Sequence, residues 1–324
     1  MKMVRSTLNV LVCCLVCFIG TSSAQGYPNQ PIKFVVPYPP GGANDIFARF
    51  LAPLLNESLG QPVIVENRAG AGGTIGTASV ATSTPDGYTL LLGSSGALAV
   101  APSLISNLPF NPLRDLAPIT MVANVPNILA VHPSVPAKSV KQLIALAKAN
   151  PGKLTFGSSG VGGSGHLAGE LFNLMAGIKM IHVPYRGTGL SVIGLVTGEI
   201  SVTFENMMTL FPHVEAGRIR ALAVTSVQRS PVMPKLPTIG ESGLPGYSAG
   251  PWFAILTTGG TPREVVSVLN REFVKILKRS DVVKVLSARG ADVVTGTPME
   301  LAEYLRTETS RWAKVIRDAN IKAN

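Results

Sequence analysis

Four stretches combine glycine with small polar residues between an apolar run and a helix-like run. They are PYPPGGAND (37–45), RAGAGGTIG (68–76), LGSSGA (92–97) and FGSSGVGGSGH (156–166). Small residues leave backbone N–H groups unobstructed, and a helix that starts at such a loop adds about half a positive charge. Ser94, Ser95, Ser158, Ser159 and Ser164 supply hydroxyl donors beside them. Together these groups hold a carboxylate or a phosphate without Lys or Arg, which are costly to desolvate in a closed cleft. One such stretch alone reads equally well as a tight turn. Recurrence at several junctions favours a shared anion site.

The last stretch also matches a dinucleotide fingerprint, Gly160-x-Gly162-x-x-Gly165. That motif calls for an acidic ribose ligand about 20 residues further on. The chain there reads HVPYRG, with Arg186 and no Asp or Glu. Arg186 suits a 2′-phosphate, so the alternative is an exported NADP-dependent enzyme. Other enzyme templates are missing: there is no G-x-S-x-G elbow and no Walker A run. His132 and His182 lie in strand-like runs and read as structural. His166 opens a helix, where it caps the turn or touches ligand, and His213 has no Cys, His or paired acid at metal spacing. No nucleophile–base pair stands out, so the chemistry expected is binding, without cofactor or metal.

The first residues read as an export signal. Lys2 and Arg5 precede an apolar run, Leu8–Gly20, that is shorter than the roughly 20 residues of a spanning helix. Ser22 and Ala24 then form an A-x-A-like site, with cleavage expected after Ala24. Cys13, Cys14 and Cys17 are the chain's only cysteines, so the exported protein has neither disulfide nor thiolate metal site. Net charge is +10, or +8 without Lys2 and Arg5. With 14% charged and 6% aromatic residues and no basic block, nothing tracks a nucleic acid. The expected location is the periplasm, and the expected partner is a small anion.

Strand and helix patterns alternate along the chain. Strands are predicted at IKFVVPY, PVIVENR, YTLLLG, NILAVHP, KLTFGSS, KMIHVPYRG, SVTFEN, RIRALAVTS and WFAILTT. Helices are predicted between most of them, and three more follow near the C-terminus. Capping boxes are expected at Ser139/Gln142, Thr261/Glu264 and Thr297/Glu300. This is an α/β protein with helices on both faces of its sheets. The pattern restarts near residue 127, which predicts an inserted lobe at 127–246. Residues 25–126 plus 247–324 then form the first lobe, joined by two hinge crossings near MVANVPN and PGYSAGPWF.

Longer blocks carry a resemblance. PYPPGGANDIFAR, GQPVIVENRAGAGGTIGTASVATSTPDGYTLL, NLPFNPLRDLAPI, PGKLTFGSSGVGGSGHLAGELF, HVPYRG, AGRIRALAVTS and LPTIGESGLPGY occur in this order. They resemble the periplasmic receptors of tripartite tricarboxylate transporters, the Bug family, from Tyr27 to about Ile316. The resemblance implies a two-lobed type II periplasmic-binding-protein fold, a Venus flytrap that acts as a monomer. It implies capture of a small organic acid and delivery to membrane permease subunits, or, for an orphan receptor, to a sensor. Carried over by position, the ligand-binding residues are Tyr38, Gly42, Asn44, Asp45, Ser94 and Ser95 in the first lobe. From the second lobe come Ser158, Ser159, Gly160, Ser164, His166, Tyr185 and Glu205. Asn44 stands where Thr or Ser is frequent, and Glu205 where Asp is common, so both depart from the pattern.

Overall fold

The computed structural model describes residues 26–318 and 321; the expected export signal lies outside them. The chain begins with β1 (Ile32–Val36), α1 (Ala43–Leu59) and β2 (Val63–Asn67). A single 3-10 turn, Ala71–Gly73, leads into α2 (Thr74–Ala81) and then β3 (Thr89–Ser94). A π-helical turn, Gly96–Val100, runs on into α3 (Ala101–Leu104), and β4 (Leu116–Asn124) follows. Next come β5 (Asn127–Val131), α4 (Val140–Ala149), β6 (Thr155–Ser158), α5 (Ser164–Ala176) and β7 (Ile181–Pro184). They are followed by α6 (Thr188–Thr197), β8 (Val202–Asn206), α7 (Met207–Glu215) and β9 (Arg220–Val224). The chain ends with β10 (Trp252–Thr258), α8 (Arg263–Leu277), α9 (Ser280–Ser287), β11 (Asp292–Val293) and α10 (Pro298–Asp318).

These strands make two sheets, ordered β11-β4-β10-β3-β1-β2 and β7-β6-β8-β5-β9. Strands β1, β2 and β3 are parallel, as are β6, β7 and β8. In each sheet the strand that has just crossed from the other one, β10 or β5, runs antiparallel in the interior. Both sheets therefore share one strand order. Strands β5, β8 and β10 are buried along their whole length, as expected of strands covered on both faces. The covering helices are amphipathic. In α8, Val265, Leu269, Phe273, Ile276 and Leu277 are buried, and Phe273 meets Phe34 of β1 with ring centroids 6.1 Å apart.

The two connections between sheets lie side by side. The Val125 N–H donates to Pro251 O (3.0 Å), and the Thr225 N–H donates to Asn127 O (3.0 Å). The Asn127 N–H returns to the Thr225 hydroxyl at 2.9 Å.

Two elements depart from expectation. Strand β4 carries Pro118 and is absent from the strands predicted above, yet it pairs along β10 with register shifts that absorb the irregularity. Helix α7 contains Pro212 and starts on Asn206, whose side chain accepts from the Met208 N–H at 3.0 Å. The boxes at Ser139/Gln142 and Thr297/Glu300 form, with Ser139 Oγ and Thr297 Oγ1 accepting from the Gln142 and Glu300 N–H groups. The expected Thr261/Glu264 box does not. The Thr261 hydroxyl donates to Thr258 O at 2.8 Å instead, and Pro262 stands at the cap of α8.

Helix α10 is fastened to β10 through one buried carboxylate. Glu308 Oε2 accepts from the indole N–H groups of Trp252 (3.0 Å) and Trp312 (3.2 Å). Glu308→Ala leaves both donors buried without an acceptor, and a loss of about 3 kcal/mol in urea unfolding is the expected result.

Candidate functional site

A cavity of about 320 Å³ lies between the sheets. Its walls are the loops at the carboxyl ends of β1, β3, β6 and β7 and the end of β8 itself, where ligands bind in open α/β sheets. Four helices begin at it: α1 through Gly42, Ala43 and Asn44, α5 through Gly163 and Ser164, α6 through Gly187, Thr188 and Gly189, and α7 through its cap, Asn206. The caps of α1, α5 and α6 are Gly42, Gly163 and Gly187, and at none of these does a side chain accept a hydrogen bond from the first turn, whereas at α7 Asn206 does. Helices α4 and α10, which do not line the cavity, use Ser139 and Thr297 for that purpose. Glycine at the cavity thus leaves first-turn donors free of side-chain acceptors, which suits an anion.

Among the residues singled out from sequence, Tyr38, Gly42, Asn44, Ser94, Ser95, Ser159, Ser164 and Glu205 line the cavity. Tyr38 is the brace of the first sheet's loops. Its hydroxyl donates to Gly72 O (3.1 Å) and accepts from Ser94 Oγ (3.1 Å). Burial pushes its pKa up, with the Ser94 hydrogen bond opposing. Asn44 is buried, and its amide donates to Leu92 O at 2.8 Å, so part of its polarity ties α1 to β3.

Asp45, Ser158, Gly160, His166 and Tyr185 do not line this cavity. The Asp45 carboxylate is occupied by the Gly41 N–H (3.0 Å), the Asn67 amide (2.9 Å) and Arg49 Nε (2.9 Å). Burial raises its pKa, but these hydrogen bonds from Arg49, Gly41 and Asn67 outweigh it and the net direction is down. Asp45 shapes the 38–42 loop. The Ser158 hydroxyl donates to Gly160 O (3.0 Å) and lies 2.7 Å from His182 Nε2. His166 Nδ1 accepts from the Gly162 N–H at 3.1 Å, and its ring stacks on His182 with centroids 4.0 Å apart. Burial lowers His166 to about 4; burial and the neighbouring His166 lower His182 to about 3. This neutral pair supports the 158–163 loop from beneath. Gly160 and Tyr185 line an adjoining cavity beside Gly70–Gly73, which shares Tyr38, Pro39, Gly96, Ser159, Arg186 and Gly187 with the first.

Of the fingerprint glycines, Gly165 serves packing, while Gly160 and Gly162 have φ of +135° and +77°. A Cβ on Gly165 would come within 2.7 Å of Phe204 O. A Cβ on Gly96 would sit 3.2 Å from Gly162 O, and one on Gly72 3.0 Å from Val161 O. Loops from the two sheets meet there backbone to backbone.

Sequence reading missed Thr188, Gly189, Asn206, Pro251 and Phe253, and it gave Arg186 only a nucleotide role. The signal was present in RGTG (186–189), a further glycine junction directly before a helix. Arg186 is exposed at the cavity and, among the described residues, is the only cation lining it.

Glu205 is the unusual member of the lining. It is 1% exposed, and its Oε1 has no hydrogen-bond partner. Burial lifts its pKa from 4.5 to about 7, against the Thr188 and Ser191 hydroxyls and the N–H groups of Asn206 and Ser159.

Two sheets of one strand order, joined by paired crossings around an anion-suited cleft, define a two-lobed receptor of the periplasmic-binding-protein type. The family described as "Tripartite tricarboxylate transporter family receptor" matches residues 47–321, and this chain belongs to it. Protein BugT of Bordetella pertussis is 44% identical over 301 residues, covering 93% of this chain and 92% of that one. R. palustris Rpa4515 with adipate superposes with a TM-score of 0.89 at 36% identity, over 91% of this chain and 99% of that one. MatC from Rhodopseudomonas palustris, with bound malate, gives 0.85 at 31% identity, over 90% and 100%. Among the described residues no helix is long and apolar enough to cross a membrane.

Glu205 makes the unliganded protein sensitive to pH. A carboxyl whose pKa is raised on folding contributes full stability below its unfolded value and loses it as pH rises through the folded value, here from 4.5 to about 7. The two lowered histidines act in the opposite direction, eroding stability below pH 6.5. Against wild type, Glu205→Gln should therefore be more stable by about 3 kcal/mol at pH 8 and nearly equal at pH 4.5. Thermal unfolding of both proteins across this range checks it, since the histidine contribution cancels.

Proposed function

We propose that this chain is an exported, periplasmic receptor that captures a small organic acid between its lobes. It then hands the acid to the membrane permease subunits of a tripartite tricarboxylate transporter. The lobes comprise residues 25–126 with 247–324, and 127–246, and the receptor works as a monomer without a cofactor. The observation that carries this reading is the convergence of three glycine-capped helix N-termini from both lobes on one cavity. Hydroxyls of Ser94, Ser95, Ser159 and Ser164 lie among them. Relatives described with adipate and malate point to the same class of ligand.

Binding and closure are linked. An acid seated against α1 in the first lobe and α5 and α6 in the second satisfies donors on both sides at once, which favours the closed arrangement. The paired crossings let the lobes rotate about two short neighbouring connections. No bond is made or broken.

The test is thermal unfolding of the chain from Gln25 onward against carboxylates, amino acids, phosphate and NADP. A ligand at 100 times its Kd adds about 2.7 kcal/mol, a rise of several degrees. Ser159→Ala should weaken the stabilising acid by about tenfold while leaving the unliganded transition in place. Asp45→Ala should instead lower the unliganded transition, since the 38–42 loop loses its anchor. A shift with NADP and none with any acid would overturn the receptor reading.

A further inference from the structure

The donors around the cavity explain why an anion enters, but one acceptor remains. Glu205 is almost wholly buried and lines the same cavity as the uncapped helix N-termini; the Thr188 and Ser191 hydroxyls and the Asn206 and Ser159 N–H groups face its carboxyl, yet Oε1 makes no hydrogen bond of good geometry. Asn206, the next residue, also lines the cavity with an unpaired buried atom. Its Oδ1 is taken by the Met208 N–H, while Nδ2 has no partner. An acceptor and a donor thus stand unpaired side by side at the end of β8. Leaving such atoms buried and unpaired is costly, most of all for a charge, so they call for a group that completes them. Among the described residues Arg186 is the one cation on the lining; it is exposed, and Glu205 Oε1 makes no hydrogen bond to it.

A bare carboxylate answers Asn206 and the helix N-termini and leaves Glu205 Oε1 without a donor. Resting on the receptor reading above, we propose that the captured acid carries a hydrogen-bond donor, a hydroxyl or an ammonium group, in addition to its carboxylate. Glu205 receives that donor and so sets the specificity. The ligand class is then hydroxy or amino acids of a size that fits about 320 Å³, a volume typical of small-molecule sites. Rejection of the unsubstituted acid follows from the same geometry, because that acid strands a buried acceptor.

The experiment is calorimetric titration with matched acids of three, four and five carbons: propionate, lactate and alanine; succinate, malate and aspartate; glutarate, 2-hydroxyglutarate and glutamate. Within each set only one substituent changes. The wild type should bind a hydroxy or amino member at least about tenfold more tightly than its unsubstituted partner. Glu205→Leu, which removes the acceptor at similar volume, should abolish that preference. Glu205→Gln keeps a carbonyl acceptor and loses the charge, so it should retain preference for a hydroxyl and lose preference for an ammonium. Should Glu205→Leu fail to fold, the Gln variant alone decides the ammonium case, and the wild-type ratios decide the hydroxyl case.

Equal or tighter binding of the unsubstituted acids would overturn the proposal while leaving the receptor reading intact. So would binding of unsubstituted diacids that strengthens from pH 8 to pH 6 in wild type and not in Glu205→Gln, since Glu205 would then be a protonated donor. If no acid in the panel binds and none stabilises the protein in the wider thermal screen, the receptor reading fails and the specificity proposal falls with it.

Discussion

A parallel strand that turns directly into a helix leaves the helix's first N–H groups without backbone partners. The cleft depends on how this chain disposes of them. At α4 and α10 a Ser or Thr side chain takes up one of them. At α1, α5 and α6 the cap is glycine and no side chain intervenes. Those three starts line the cavity together with that of α7, whose cap Asn206 does use its side chain. A side-chain acceptor at each cap would cancel the donors that an anion needs, so glycine there is a choice of chemistry as well as of turn geometry.

Placing the three starts together is the work of the sheets. Parallel order puts the carboxyl ends of β1 and β3 on one edge of the first sheet, and those of β6, β7 and β8 on one edge of the second. The interior strands β5 and β10 bring the chain across with both connections hydrogen-bonded to each other. Around this frame the apolar core runs through fully buried strands, while the loops between the sheets approach closely at Gly96, where a Cβ would sit 3.2 Å from Gly162 O. Of the dinucleotide-like glycines, Gly165 belongs to this packing requirement.

Much of the fold was legible because its signals are local. Fully buried strands such as LLL (90–92) and the helical stripe of α8 announce themselves by apolar run and period. The misses are equally local in cause. Pro118 disguised β4 and Pro212 disguised α7, and in each case tertiary pairing overrode a breaker residue. Thr261 met the capping pattern but found a carbonyl acceptor at Thr258 first. In the site, the serine pairs show the limit well. Ser158 and Ser159 are indistinguishable in sequence, yet Ser159 lines the cavity while Ser158 turns to Gly160 and His182.

By itself the sequence determined which junctions are rich in small polar residues, where most strands and helices run, and the family resemblance those blocks carry. These follow from composition and period, which act over a few residues. Tertiary structure alone decided which helix starts converge, that Asp45 is consumed by Arg49, Gly41 and Asn67, and that Glu205 keeps an unpaired oxygen at the cavity. A carboxyl's burial and its partners are set by side chains and amides from β6, α6 and β8 packed around it. Such a surrounding exists only once segments distant in the chain have been brought together, and no local spacing encodes it.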